Sequence, residues 1–133
     1  MKEVLDSRFF ATYFFSDDEV AIDATKSRLA KLRREGRGLV PSIVLAEVAN
    51  FVCRKAGRDR AQAVLRAIGA FGLSSVPLDQ AIATEAGFLR CTHRGVPLGD
   101  AVVAATAMRE NALVVTDDPH FDKVPRLRTA WID

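Results

Sequence analysis

Cysteine is nearly absent: the chain has only Cys53 and Cys91 in 133 residues. Two distant thiols form neither a disulfide framework nor a Cys-x-x-Cys zinc or redox motif. A reducing, cytoplasmic compartment is therefore expected. Both cysteines read as small apolar fillers. Histidine is equally scarce, and no Ser or Cys is placed to form a nucleophilic triad with His93 or His120. Both histidines read as surface residues. Long apolar runs are missing too. The uncharged stretches fall well short of the roughly 20 residues that cross a bilayer, which excludes a membrane-spanning protein. The opening Met1-Lys2-Glu3-Val4-Leu5-Asp6 carries acid too early for a secretory leader. A net charge of +2 is too small for a histone-like binder. No repeat, low-complexity run or linker interrupts the chain, so one domain over residues 1–133 is expected.

Hydrophobic residues make up 49% and charged residues 27%, the balance of a folded globular chain. A domain of this length buries roughly two thirds of its unfolded surface, so it needs neither disulfide nor structural metal to hold together. Fourteen of the nineteen cations are Arg, whose planar fork suits phosphate.

Short apolar segments alternate with helical ones. Strands are expected at 4–5, 39–41, 75–77, 112–115 and 127–132. Helices are expected at 8–15, 17–34, 43–55, 59–71, 79–92 and 99–111, with Ser42, Asp59 and Asp79 as N-caps. The run Ala112-Leu113-Val114-Val115 is apolar throughout, as in a strand covered on both faces. The alternation implies an α/β fold: a three-layer sandwich whose central, mainly parallel sheet of four to five strands is flanked by helices. In such folds the site lies beyond the carboxyl ends of the strands.

Four carboxylates stand out against that frame. Asp6 follows the first strand, and Asp117-Asp118 follow the strand at 112–115. Glu47 is the only charge in residues 43–53, and Asp100 the only charge in residues 96–108. Taken singly, each has a structural explanation. Asp6 and Asp100 suit helix starts, Glu47 shares a wet stripe with Asn50 and Arg54, and Asp117-Asp118-Pro119 is a turn. Taken together they are harder to dismiss. Two unit charges about 4 Å apart repel by about 4 kcal/mol at an effective dielectric near 20. Such a group must either hold protons or bind a cation. Neither His nor Cys is expected among the ligands, so an all-oxygen set favours Mg²⁺ or Mn²⁺ over Zn²⁺. Hydrolysis of a phosphodiester is the natural chemistry.

Together these residues resemble the PIN-domain ribonucleases, most closely the VapC-like toxins of type II toxin–antitoxin pairs. The resemblance spans the chain. It rests on Asp6-Ser7 after the first strand, Glu47 in an early apolar helix, Gly99-Asp100-Ala101 at a helix start, and Thr116-x-Asp118-x-x-Phe121 after a late strand. It implies a metal-dependent endoribonuclease with Asp6, Glu47, Asp100 and Asp118 as its acidic centre. Asp6, Asp100 and Asp118 would bind Mg²⁺ or Mn²⁺ directly, and Glu47 would act through water or position the nucleophile. Ser7 and Thr116 would orient carboxylates or water. It further implies an RNA substrate, a homodimer and a small antitoxin that covers the cleft. One departure is visible: relatives often follow the first Asp with small polar residues, whereas Arg8-Phe9-Phe10 follow here. Arg8 either binds substrate phosphate or pairs with the acids and weakens metal binding. The Thr-x-Asp spacing selects Asp118 over Asp117, which reads as a solvated neighbour.

Two basic runs, Arg28-Lys31-Arg33-Arg34 and Arg54-Lys55-Arg58-Arg60, are solvated helix faces or a track for RNA phosphates. Arg54, on the face of Glu47, is the best single candidate for that track. The aromatic run from Phe9 to Phe15 is core, or a groove for an antitoxin helix or a dimer partner. Two competing functions remain. A phospho-receiver or aspartyl-phosphate phosphatase would need a Lys in the site, and residues 98–116 contain none. A non-catalytic PIN-like module would bind RNA or protein without divalent-metal affinity.

Overall fold

A computed structural model describes residues 1–132. The chain runs β1 (Glu3–Leu5), α1 (Ser7–Phe15), α2 (Glu19–Glu35), β2 (Gly38–Pro41), α3 (Ser42–Ala56), α4 (Arg58–Gly69), β3 (Ser74–Val76), α5 (Gln80–Thr92), α6 (Leu98–Arg109), β4 (Leu113–Val115) and β5 (Thr129–Ala130). A short 3₁₀ turn, Pro119–Lys123, lies between β4 and β5.

The five strands form one sheet in the order β3-β2-β1-β4-β5, every neighbouring pair parallel. Parallel strands need crossovers; pairs of helices supply those leading into β2, β3 and β4, and the segment with the 3₁₀ turn supplies the one into β5. The result is the expected α/β sheet flanked by helices. β1 lies at the centre: Val4 pairs with Leu39 on one side and Val114 on the other. Val4, Leu5, Val114 and Val115 are fully buried, as their unbroken apolar sequence requires. The chain order reverses between β1 and β4, so the crevice beyond their carboxyl ends is where a ligand belongs.

One helix departs from the amphipathic pattern. Residues 100–107 of α6 are buried on every side, because Ala and Val there let α6 pack on β1, β4, α3 and α5 at once. Asp100 is thus the single charge in the buried stretch of this helix.

Several local expectations fail for tertiary reasons. Ser42 is not an N-cap but the first residue of α3, and its hydroxyl accepts the amide hydrogen of Leu78 at 3.0 Å. Asp59 caps nothing, since α4 begins one residue earlier, behind Gly57. The last strand is only Thr129–Ala130, shorter than 127–132. Cys53 and Cys91 are exposed rather than packed in the core. Asp18 and Asp79 do cap α2 and α5 with their side chains. Gly36 ends α2 at φ 63°, where its amide closes onto the carbonyls of Leu32 and Arg33. Among the described residues no helix is long and apolar enough to cross a membrane.

Candidate metal centre

Asp6 leaves β1 buried, at 1% exposure. It occupies the N-cap position of α1, yet its side chain caps no amide. Its Oδ2 instead accepts a hydrogen bond from Thr116 Oγ1 at 2.9 Å, across 110 positions of sequence. The capping explanation for Asp6 therefore does not hold. Thr116, just past β4, also accepts the amide hydrogen of Asp118 at 3.0 Å. One hydroxyl thus links the acids at the ends of the two central strands. Asp118 caps the 3₁₀ turn by accepting from the His120 amide at 2.9 Å.

Asp100 lies in the first turn of α6, two residues after the first helical position, with Pro97 as the N-cap. It is 8% exposed. Glu47 reaches toward it from α3. The contact depends on Gly99: a Cβ there would stand 2.7 Å from Glu47 Oε2. The Gly-Asp pair is therefore a packing requirement, a small residue beside the acid so that a second acid can approach. Gly99→Ala is expected to displace Glu47 while leaving the fold intact, because Ala itself favours a helix by roughly 0.5–1 kcal/mol over Gly. Calorimetric titration with Mn²⁺ should then show weaker binding at little change in melting temperature.

His120 is the residue whose place in the site sequence reasoning missed. Its ring is 42% exposed, as expected of a surface residue, but its Nδ1 lies 2.9 Å from Asp118 Oδ1 and 3.3 Å from Asp100 Oδ2. A ring nitrogen therefore stands beside the carboxylate oxygens as a further candidate ligand. Ligand atoms of Asp100, Asp118 and His120 fall within 4.8 Å of one another. The usable signal was its place two residues after Asp118 behind a proline. The 3₁₀ turn that Asp118 caps folds the imidazole back over its own cap.

Burial and mutual repulsion both show in the acidities. Burial, above all, raises Asp6, with Asp118 adding repulsion and the Thr116 and Ser7 hydrogen bonds opposing. Burial, then repulsion from Asp6, Asp100 and Asp118, pushes Glu47 up to about 7, against the nearby Ser7 hydroxyl. Asp100 rises to about 6 through burial and the charges of Asp118 and Asp6, with His120 opposing. All four carboxylates therefore act on one another, and the structure brings all of them together.

The group carries unmet bonding capacity. Asp6 Oδ1 and Glu47 Oε1 are buried with neither a hydrogen bond nor an ion pair. Asp100 Oδ2 and His120 Nδ1 make no hydrogen bond either, although they face each other at 3.3 Å. Buried polar atoms ordinarily find partners. Unmet carboxylate oxygens in one patch fit a divalent cation, which would satisfy the lone pairs and cancel the repulsion together.

Arg8 donates from Nε to Asp117 Oδ1 at 2.8 Å. Asp117 is thus the partner of Arg8 rather than merely a solvated neighbour. Arg8 Coulombically lowers Asp6 but remains half exposed, so part of its fork is open to solvent. Arg54 lies exposed in the last turn of α3. Seven residues separate it from Glu47, about 10 Å along the helix axis. Arg28 is removed from any track near the acids. It donates to Glu3 Oε1 at 2.8 Å and to the Trp131 carbonyl, at the opposite end of β1. Phe9 and Phe10 are core, whereas Tyr13, Phe14 and Phe15 are half-buried against Phe71 and Phe51.

A model of the PIN domain matches residues 4–127. No curated protein matches the chain. Solved structures share its fold. One is VapBC2 from Rickettsia felis bound to a DNA fragment from its promoter, with TM-score 0.79, 21% identity and 98% of each chain covered. A second is DNA-bound VapBC from Salmonella typhimurium, with TM-score 0.78, 21% identity, and 100% of this chain and 99% of that chain covered. A third is VapC20 from Mycobacterium tuberculosis, a sarcin–ricin loop cleaving toxin, with TM-score 0.74, 15% identity, and 91% and 93% covered.

Proposed function

The chain belongs to the PIN-domain family, and from that premise we propose that it is a Mg²⁺- or Mn²⁺-dependent endoribonuclease, the toxin of a toxin–antitoxin pair. The observation that carries this reading is the convergence of mutually repelling carboxylates beyond the ends of β1 and β4, with Asp6 Oδ1 and Glu47 Oε1 buried and unpartnered. A purely structural ion-pair network would have given those two oxygens a cation.

Asp6, Asp100 and Asp118 are the residues that would hold the ion, with the His120 ring against the last two. When bound there, the ion would act as a Lewis acid toward water and offset charge on the phosphate. Thr116 fixes the Asp6 carboxylate so that Oδ1 faces the centre. Glu47, pushed up to about 7, is matched to take a proton from water at neutral pH. The Ser7 hydroxyl opposes that rise from the α1 side. Arg8, steadied by Asp117, offers its remaining N–H groups to a substrate phosphate. Arg54 extends the positive surface further along α3.

The partners are part of the same proposal. VapBC toxin–antitoxin complexes recur among the proteins that share this fold, which supports an antitoxin partner; that it is small and covers the centre, and that the chain pairs with a second copy, belong to the same proposal. The test is direct. Single-stranded and hairpin RNAs incubated with Mg²⁺ or Mn²⁺ should be cut internally, and EDTA should stop cleavage completely. Intact RNA under every divalent condition, with no heat of Mn²⁺ binding, would leave a non-catalytic binding module.

A further inference from the structure

We propose that the depression beside Glu47 is a nucleobase subsite, in which Phe51 stacks on a base next to the phosphate under attack. The inference rests on the nuclease reading above and names what that site grips besides phosphate.

The depression has a volume of about 410 Å³ and is lined by Ser7, Arg8, Ala11, Glu47, Val48 and Phe51. Ser7 and Glu47 belong to the acidic centre, so whatever fills the depression touches the centre. The remaining walls are of a different kind. Ala11 and Val48 make an apolar floor, Arg8 a cationic rim, and Phe51 an aromatic side. An apolar floor with a few directing polar groups is how small planar ligands are held.

Phe51 is 42% exposed. Single exposed apolar residues are ordinary, so exposure alone would mean little. Position and support distinguish this ring. Phe15 meets it edge-on, with centroids 5.5 Å apart and planes at 86°. That contact fixes the ring without covering both faces. Lys55 sits 5.6 Å over the Phe15 ring, and Arg54 and Lys55 follow in the exposed last turn of α3. Cations therefore stand on both sides of Phe51, with Arg8 toward the acids and Arg54 and Lys55 away from them. An aromatic face between cations is the arrangement that holds single-stranded nucleic acid, bases on the ring and phosphates on the charges.

Stacking on one aromatic ring strengthens binding by about 5- to 150-fold per base. The test uses the full chain carrying Asp100→Asn, to prevent turnover, with Mn²⁺ present. Binding of a hexauridylate, a hexaadenylate and an abasic ribose-phosphate hexamer is followed by fluorescence anisotropy. Phe51→Ala should weaken binding of both base-bearing oligomers at least fivefold and leave the abasic oligomer unchanged. Phe51→Leu, which retains apolar bulk on Phe15, should behave like Phe51→Ala, and Phe51→Tyr should restore binding. Equal losses for all three oligomers, or none for any, would overturn the proposal, as would a depression that serves only a protein partner. The nuclease reading fails separately, through absence of Mn²⁺-dependent cleavage by the chain with Asp100 and Phe51 intact.

Discussion

Asp6→Asn and Asp100→Asn are each expected to lower metal-dependent RNA cleavage by more than about a hundredfold, and to raise the melting temperature of the metal-free protein. Loss of activity follows from the ligand set. Removing even an outer partner of a metal ligand costs 10–100-fold, and these side chains would touch the ion itself. The gain in stability follows from the repulsion. Asn keeps the shape of Asp, and its carbonyl can still accept the Thr116 hydrogen bond that Asp6 Oδ2 now accepts. The substitution removes one negative charge from a group whose members raise one another. A melt in EDTA should shift upward by a few degrees, at roughly 3–5 °C per kcal/mol for a chain of this size. Two readouts moving in opposite directions separate a metal centre from a structural acid, whose loss would lower both. Cleavage at the unsubstituted rate by both variants would sink the assignment.

The second large effect is a reversal of the usual pH dependence of stability. Paired carboxylates ordinarily have lowered pKa values and stabilise a fold as pH rises. Here Glu47 lies at about 7 and Asp100 at about 6, above ordinary values of 4.5 and 3.8. The folded chain thus holds protons that the unfolded chain has released. Stability falls with pH wherever the folded state binds more protons. The contribution is complete below about pH 4 and is lost by about pH 7. Metal-free protein should therefore melt several degrees lower at pH 8 than at pH 5.5. Glu47 is partly open to water, which screens its share of the effect. Saturating Mn²⁺ should cancel the trend, since ligation needs deprotonated carboxylates and tightens as pH rises. At a hundred times its dissociation constant the ion adds about 2.7 kcal/mol. Thermal melts at several pH values, with EDTA or Mn²⁺, measure both arms. A metal-free melting temperature that climbs from pH 5.5 to 8 would refute this account.

The architecture was readable because its signals are local. Uninterrupted apolar strands such as 112–115, and helices ended by Gly36 and Gly57, mark themselves without knowledge of the fold. Glu47 and Asp100 were readable because each is a lone charge where apolar packing would otherwise prevail, as Asp100 is at the head of the buried stretch of α6; Asp6 and Asp118 were readable from their places after strands. What escaped was set by tertiary pairing. Ser42 has the chemistry of an N-cap, but Leu78 takes its hydroxyl. Arg8 has no partner within its own helix and finds Asp117 across 109 positions. His120 looks like any turn residue until the capped 3₁₀ turn brings its ring against Asp100. Cys53 and Cys91 resemble fillers by type, and only the packing of α3 and α5 shows that they face outward.

The hydroxyl that links Asp6 to the end of β4 joins residues 110 positions apart. Six helices and two strands lie between β1 and β4 in the chain, yet the two strands are neighbours in the sheet. Any segment that stops short of residue 116 holds a solitary Asp6 with neither Thr116 to orient it nor Asp118 to complete its group. The centre is thus assembled only once the two central strands have paired across that distance.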